Sequence, residues 1–300
     1  MLAASEPPSG LWLPLVTPFR DGDIDAVSLR RLVLHYADQP VDGFILAATT
    51  GEGLTLDERE IEQLVMVTAQ ALHDRGGRPL YLGLSGSDTR RMVTALTRTA
   101  DWPIDGYLIA SPYYSRPSQR GLLQHFGALA DATARPIMLY NIPARTGVNL
   151  DTATILRLAE RSNVVGIKDC AANTLESVEL LHKRPRGFAV LTGEDATFYG
   201  ALIRGSDGGI LASAHIETRA FAALRSVLLA GDALRANMQW RALSDIAPLL
   251  FAEPSPAPLK HWLWRCGLID SPEVRSPMTT IDEALATAIE RRIARSTVEA

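Results

Sequence analysis

Lys168 is the residue whose type and position in this sequence most clearly allow chemistry. It is one of only three lysines, with Lys183 and Lys260, in a chain of 300 residues. It follows the apolar run 164–167 (VVGI), which predicts a buried strand. A primary amine at the end of such a strand can lose its proton and attack a carbonyl, whereas an arginine cannot. A lone lysine there more commonly extends to solvent, so nucleophilic chemistry requires support from other residues.

That support comes from hydroxyl groups that follow other apolar runs. Tyr140 ends the run 137–140, and Thr49 and Thr50 end the run that begins at residue 43. Taken singly, a tyrosine is more often a core residue and threonines are ordinary at strand ends. Together with an amine they suit Schiff-base formation, in which hydroxyls move protons to and from the carbinolamine. We expect burial to lower the pKa of Lys168, which favours its neutral form.

Carboxylate recognition is the second chemical element that the residues predict. The backbone N–H groups of the turn 49–51, with the Thr50 hydroxyl, are expected to hold a small carboxylate. Arg145 follows the run that ends at Tyr140, and it can bind a second carboxylate through two parallel hydrogen bonds. The combination predicts an amine that attacks a ketone, with one small carboxylate held at the turn and a second carboxylate held by Arg145.

Apolar runs that alternate with helix-compatible segments predict the fold. Eight alternations in succession favour parallel pairing and a (β/α)8 TIM barrel, whose chemistry lies at the carboxyl ends of its strands. An open doubly wound sheet is the alternative, but no glycine-rich turn follows the first run. The predicted strands are residues 13–16, 43–47, 80–84, 106–110, 137–140, 164–167, 189–191 and 209–212.

The pattern changes after about residue 231. Residues 233–250, 258–266 and 281–295 all favour helix, and no further strand is required. We therefore predict a catalytic barrel over residues 1–231 and a C-terminal helical region over 232–300.

Composition excludes several classes of function. A net charge of −4 gives no reason to expect nucleic acid or an anionic membrane as a partner. No run is long and apolar enough for a membrane span, and no signal peptide is visible, so a cytoplasmic protein is expected. The six histidines lie scattered, and neither a P-loop nor a GxGxxG stretch is present. We expect neither a metal nor a nucleotide cofactor.

Several segments resemble the dihydrodipicolinate synthase / N-acetylneuraminate lyase family of class I aldolases. The resemblance implies a (β/α)8 barrel with a C-terminal helical region, no metal, and pyruvate bound as a Schiff base. The segments are 49–52 (TTGE), 112–114 (PYY), 140–147 (YNIPARTG), 166–169 (GIKD), 193–195 (GED) and 253–256 (EPSP).

The resemblance implies a role for individual residues at the pyruvate site. Lys168 resembles the Schiff-base lysine, and Tyr140 resembles the tyrosine that donates and accepts protons. Thr49 and Tyr114 resemble the other members of the proton relay. In the family, an aromatic residue of the PYY segment reaches a neighbouring subunit's site, which implies self-association as a dimer or tetramer.

Substrate binding is implied in the same way. Thr50 resembles the ligand of the pyruvate carboxylate, and Ile210 resembles the residue whose backbone carbonyl faces pyruvate. Arg145 resembles the arginine with which the synthases bind the carboxylate of aspartate semialdehyde. We therefore favour condensation of pyruvate with L-aspartate 4-semialdehyde in lysine and diaminopimelate biosynthesis. The alternative is a lyase of the same family that acts on a sialic acid or a sugar-derived 2-oxo acid.

Departures from the family pattern bear on specificity and regulation. Ala48, Gly53, Cys170 and His215 replace usual residues and are expected near the second substrate. Feedback inhibition by lysine is expected to be weak or absent. Of the matching positions, Glu58, Ser87 and Arg91, the last would repel an ammonium group.

Overall fold

Eight parallel strands close into a barrel in this computed structural model, which describes residues 7–171 and 173–299. Neighbouring strands along the chain pair in sequence, and the eighth pairs back to the first. The predicted (β/α)8 fold is confirmed. The strands are β1 (Gly10–Pro14), β2 (Gly43–Leu46), β3 (Leu80–Leu84), β4 (Gly106–Ala110), β5 (Ile137–Asn141), β6 (Val164–Asp169), β7 (Ala189–Thr192) and β8 (Gly208–Ile210). A two-stranded antiparallel ribbon, Phe19–Arg20 with Asp23–Ile24, follows β1.

Helices connect the strands and continue beyond the last one. Those of the barrel are α1 (Ala26–Ala37), α2 (Glu58–His73), α3 (Thr89–Arg98), α4 (Gln119–Asp131), α5 (Pro143–Thr146), α6 (Thr152–Leu158), α7 (Thr174–Lys183), α8 (Phe198–Ile203) and α9 (Thr218–Leu229). After it come α10 (Ala233–Leu243), α11 (Ile246–Leu250), α12 (Ala257–Arg265) and α13 (Glu283–Glu299).

Aspartates fix the starts of several helices. Asp25, Asp57 and Asp88 precede α1, α2 and α3, and each carboxylate accepts backbone N–H groups of the first turn. At α2 the Glu60 side chain also accepts from the Asp57 N–H, which completes a capping box. These caps fix the residues at which the first three helices of the barrel begin.

Two apolar layers account for the unbroken hydrophobic character of the strands. One layer fills the barrel interior, with Trp12, Ile45, Leu108, Met138 and Leu191 among its members. The other lies between the barrel and the surrounding helices. Strands buried on both faces lack the alternation of a half-exposed strand, which is why short apolar runs identified them.

The first strand begins and ends earlier than the predicted 13–16. β1 runs from Gly10 to Pro14, although Leu15 and Val16 are also buried. Pro14 has no N–H to donate to a ladder, and one last bond to β2 follows it, from the Leu15 N–H to the Ile45 carbonyl at 2.9 Å. Apolar character continues past that point because the turn after β1 is itself packed inside the protein.

The prediction of one helix over residues 233–250 is also wrong. The chain forms α10 and α11, which are separated at Ser244 and Asp245. In a continuous helix, Pro248 would lack the N–H that bonds to residue 244 and would clash with that carbonyl. In α11 it lies in the first turn, where no such bond is needed. The division of the chain between residues 231 and 232 stays a prediction.

None of the helices in the described part of the chain combines the length and apolar character that a membrane span requires.

Candidate active site

The carboxyl ends of the strands surround a cavity of about 360 Å³. A neighbouring cavity of about 380 Å³ shares Thr49, Tyr140 and Arg145 with it and extends toward Tyr113. The fold thus brings six of the seven predicted site residues to one cavity. They are Thr49, Thr50, Tyr140, Arg145, Lys168 and Ile210.

Lys168 and Tyr140 are placed side by side by the register of the barrel. They are partners across β5 and β6, so their side chains share a face of the sheet. Each is only 5% exposed, and the Lys168 Nζ lies 4.4 Å from the centre of the Tyr140 ring. The Tyr140 hydroxyl interacts with both the Lys168 amine and the Thr49 side chain. Amine, phenol and alcohol therefore form one connected polar group.

Lys168 holds its proton more tightly than the sequence suggests. Burial lowers the pKa of Lys168, but the acidic groups of Tyr140, Cys170 and Asp195 together raise it above its ordinary value. The expectation of a lowered pKa is wrong. Burial raises the pKa of Tyr140, so the phenol also stays protonated near neutral pH. An attack by this amine on a carbonyl therefore requires that it first lose a proton.

The wall behind Lys168 is formed by the segment that follows β7. A Cβ atom at Gly193 would lie 2.4 Å from the Lys168 Cε and 2.4 Å from the Cys170 Sγ, so only glycine leaves room there. Asp195 is buried and accepts a hydrogen bond of 2.6 Å from the Ser213 N–H, and it also pairs with the Ser213 hydroxyl. Burial raises the pKa of Asp195, against the effect of these hydrogen bonds.

The turn after β2 leaves two backbone donors available. The Gly51 N–H donates to the Ala48 carbonyl at 3.0 Å, and the Glu52 N–H donates to the Thr49 carbonyl at 3.1 Å. Within the part of the chain that the structure describes, the N–H groups of Thr49 and Thr50 have no acceptor. The predicted carboxylate site therefore narrows to these two N–H groups and the Thr50 hydroxyl.

This turn is conformationally strained and tightly anchored. Ala47 and Glu52 both adopt left-handed φ angles, of 50° and 53°. A Cβ at Gly53 would lie 1.7 Å from the Ala47 carbonyl oxygen, which requires glycine. The Glu52 carboxylate lies 2.5 Å from the Lys260 Nζ and accepts a 2.9 Å hydrogen bond from the Arg275 N–H. Sequence reasoning missed Lys260, although a rare lysine within an apolar helix was a usable signal.

Arg145 is held at the cavity rim by the short helix α5. Pro143 begins this helix and Gly147, with a φ of 76°, ends it. The Arg145 side chain is exposed and lines both cavities. Its guanidinium has no hydrogen bond or ion pair with any residue that the structure describes, so its donors face the cavity unpaired.

Across residues 7–171 and 173–299, no three His, Cys, Asp or Glu side chains are grouped so that they could hold a metal ion.

Comparisons with known proteins identify the family of this chain. Residues 7–296 match the profile of the dihydrodipicolinate synthetase family. The chain belongs to this family. It is 41% identical to 4-hydroxy-tetrahydrodipicolinate synthase 2 of Clostridium acetobutylicum over 92% of this chain and 96% of that protein.

Solved structures of family members have the same fold. Dihydrodipicolinate synthase from Aquifex aeolicus superposes with a TM-score of 0.92 at 29% identity, over 97% of this chain and 98% of that one. The chloride-inhibited dihydrodipicolinate synthase of Acinetobacter baumannii, complexed with pyruvate, superposes with a TM-score of 0.90 at 32% identity. The match covers 95% of this chain and 98% of that one.

Tyr114 is the one of the seven predicted site residues that does not line the cavity with Lys168. It lines neither cavity, is 94% exposed, and has a left-handed φ of 68°. The adjacent Tyr113 is half-buried and lines the second cavity instead.

Three of the four departures from the family pattern lie at the cavities. Ala48 and Gly53 line the second cavity, and Cys170 lines the first. His215 does not, so its expected place near the second substrate is wrong. It is buried against Tyr36 with ring centres 5.0 Å apart, and burial lowers the pKa of His215 to about 4. Its neutral ring packs between the barrel and α1.

We predict that Gly193→Ala prevents Lys168 from reaching its working position. The added methyl group would overlap the lysine side chain, and a displacement of about 1 Å at a reacting group costs roughly 100-fold in rate. Single-turnover formation of a covalent pyruvate adduct measures this. Gly200→Ala on α8 is the control, since its Cβ meets only the flexible Arg204 guanidinium. Equal rates for both variants would contradict the prediction.

Proposed function

We propose that this chain is a 4-hydroxy-tetrahydrodipicolinate synthase, which condenses pyruvate with L-aspartate 4-semialdehyde. The observation that carries the proposal is the buried Lys168 amine, in register with Tyr140 on the wall of a cavity of about 360 Å³. The name of the Clostridium relative and the pyruvate complex of the Acinetobacter protein support the choice of substrates.

The first half of the reaction places pyruvate on Lys168. The N–H groups of Thr49 and Thr50 hold its carboxylate, which brings its ketone carbon to the amine. The amine adds to that carbon, and the carbinolamine then loses water to form an iminium. Tyr140 gives a proton to the departing oxygen and recovers it through the Thr49 hydroxyl. The Ile210 backbone carbonyl faces the bound pyruvate.

The second half forms the carbon–carbon bond. The iminium withdraws electrons, so a methyl proton of pyruvate passes to the relay of Tyr140 and Thr49 and an enamine forms. Arg145 binds the carboxylate of the semialdehyde. The enamine carbon attacks the aldehyde carbon, and the aldehyde oxygen takes a proton from the relay and becomes a hydroxyl. The amino group of the semialdehyde then displaces Lys168 from the iminium carbon, which closes the ring and frees the enzyme. We propose that no metal or nucleotide takes part, because the iminium itself is the electron sink.

Tyr114 completes this proposal only in an assembly. Because it is almost fully exposed and lies away from its own cavity, we propose that it enters the site of a second copy and joins the relay of Tyr140 and Thr49. The protein then acts as a dimer or a tetramer of such dimers, with small molecules as its other partners. The cytoplasmic location expected from the sequence stays a prediction.

Borohydride trapping tests the proposal directly. Reduction in the presence of pyruvate is expected to add one pyruvate-derived group, which peptide mapping assigns to Lys168 and not to Lys183 or Lys260. Lys168→Arg abolishes the adduct, because a guanidinium does not form an imine, while the exposed Lys183→Met keeps it. An unmodified chain, or an adduct on Lys260, contradicts the Schiff-base assignment. The lyase alternative is identified by a different set of results. The adduct then forms on Lys168, pyruvate is released from a sialic acid, and aspartate semialdehyde is not turned over.

The substitution Arg145→Met is expected to weaken the binding of the second substrate only. Loss of a bidentate hydrogen bond to a carboxylate raises the KM for aspartate semialdehyde roughly 10- to 100-fold. The KM for pyruvate and the trapped adduct stay at wild-type levels, because pyruvate binds at the turn after β2. Arg120→Met, an exposed arginine that lines neither cavity, is the control. A matching rise in the pyruvate KM would show that Arg145 does not distinguish the two sites.

We also predict that lysine inhibits weakly or not at all. The Glu58 carboxylate is already paired with Arg98 at 2.5 Å, and the Arg91 side chain is 89% exposed, so it adds a positive charge at the expected inhibitor position. Steady-state rates at rising lysine concentration measure the effect. An inhibition constant below the millimolar range contradicts the prediction.

A further inference from the structure

Lys260 occupies an unusual position for a lysine. It lies on α12 with no exposed side-chain surface, and its Nζ is 2.5 Å from a Glu52 carboxylate oxygen. The same Nζ donates to the Glu273 carbonyl at 2.7 Å and lies 4.1 Å from the centre of the Phe19 ring. It lines neither cavity at the barrel mouth. Any effect of Lys260 on the reaction must therefore pass through a neighbour.

Glu52 provides a direct connection to the candidate carboxylate site. One of its carboxylate oxygens meets Lys260, and the other accepts the Arg275 N–H. With the side chain held from both sides, the Glu52 N–H donates to the Thr49 carbonyl at 3.1 Å. The Thr49 carbonyl and the Thr50 N–H belong to one planar trans peptide, so they point in opposite directions. Fixing that carbonyl also fixes the direction of the Thr50 N–H.

A second peptide of the turn is fixed in the same manner. The Gly51 and Gly53 N–H groups both donate to the Ala48 carbonyl, at 3.0 and 3.2 Å. The Thr49 N–H, on the opposite side of that peptide, is thereby aimed as well. Both free donors of the turn depend on a backbone arrangement in which Glu52 has a left-handed φ of 53°.

We propose that Lys260 is a positioning residue for the carboxylate site: through Glu52 it holds the turn that aims the N–H groups of Thr49 and Thr50 at the substrate. This role rests on the proposed function, in which that turn binds pyruvate. It also gives the C-terminal helical region a part in the reaction, because α12 supplies the cation that the turn requires.

The protonation of Lys260 distinguishes this role from simple packing. Burial lowers the pKa of Lys260 to about 8, although Glu52 and Glu273 oppose the shift, and the positive charge of Arg275 adds to it. Above about pH 8 the ammonium becomes neutral and Glu52 loses its counter-ion. Pyruvate binding should then weaken, while the amine of Lys168, whose pKa is raised, still carries its proton.

The experiment compares KM and kcat for four variants over about pH 7 to 9. Lys260→Met removes the charge at similar length, and Lys260→Arg keeps a charge that does not titrate in this range. The double variant Glu52→Gln/Lys260→Met replaces the ion pair by a neutral pair. Lys183→Met removes an exposed lysine that pairs only with Glu179 on its own helix, and it is the matched control.

We expect Lys260→Met to raise the pyruvate KM about tenfold, as for a lost charged hydrogen bond, with the KM for the second substrate within about twofold of wild type. In the wild type the pyruvate KM rises above about pH 8. That rise is absent from Lys260→Arg and from the double variant, and it persists in Lys183→Met. If Lys260→Met does not fold, the wild type, Lys260→Arg and the double variant still provide the comparison.

Two results separate the failure of this role from the failure of the proposed function. A wild-type chain that forms no pyruvate adduct overturns both. A wild-type chain that forms the adduct, while the folded Lys260→Met protein keeps the wild-type pyruvate KM and its pH dependence, overturns the positioning role alone. A kcat that falls with an unchanged KM in that variant overturns it as well.

Discussion

Glu52 and Lys260 bring opposite charges into contact where neither side chain reaches solvent. The loss of hydration offsets most of the attraction in such a pair, so its net stabilisation is small, yet removal of one partner costs about 3–5 kcal/mol. The intact pair therefore adds little net folding stability, and its main effect is on the conformation of the turn after β2. It acts on a turn in which Ala47 and Glu52 both have left-handed φ angles, a conformation that costs about 1–3 kcal/mol per residue and persists only where the surroundings impose it.

The barrel supplies the other constraint, which is register. Tyr140 and Lys168 are far apart in the sequence but directly opposite in neighbouring strands. The fold could be predicted from the sequence, because short apolar runs mark strands that are buried on two faces. The proximity of these two side chains could also be predicted, because parallel strands place their carboxyl ends on one side of the barrel. The ends of the elements were less predictable. β1 ends at Pro14 while the apolar run continues to Val16, since regular strand pairing and burial end at different residues.

Contacts between distant segments could not be derived from local patterns. The pairing of Lys260 with Glu52 requires α12 to pack beneath the turn after β2, and no periodicity in either segment encodes that approach. His215 follows β8 in the sequence and was therefore expected at the cavity, but its ring turns outward onto Tyr36. The proton on Lys168 was misjudged for a related reason. Burial was visible in the sequence, whereas the acidic groups that surround the amine were not.

Two buried lysines thus lie in one protein, and their pKa values alone would favour Lys260 as a nucleophile over the proposed Lys168. The pKa of Lys260 is lowered to about 8, whereas that of Lys168 is raised. Yet the Lys260 ammonium is buried against Glu52, the Glu273 carbonyl and the Phe19 ring, and it lines neither cavity at the barrel mouth. Lys168 reaches the cavity and contacts Tyr140, a group able to exchange its proton. An attacking amine needs to be neutral only while it attacks, so access to a carbonyl and a partner for the proton outweigh a low resting pKa.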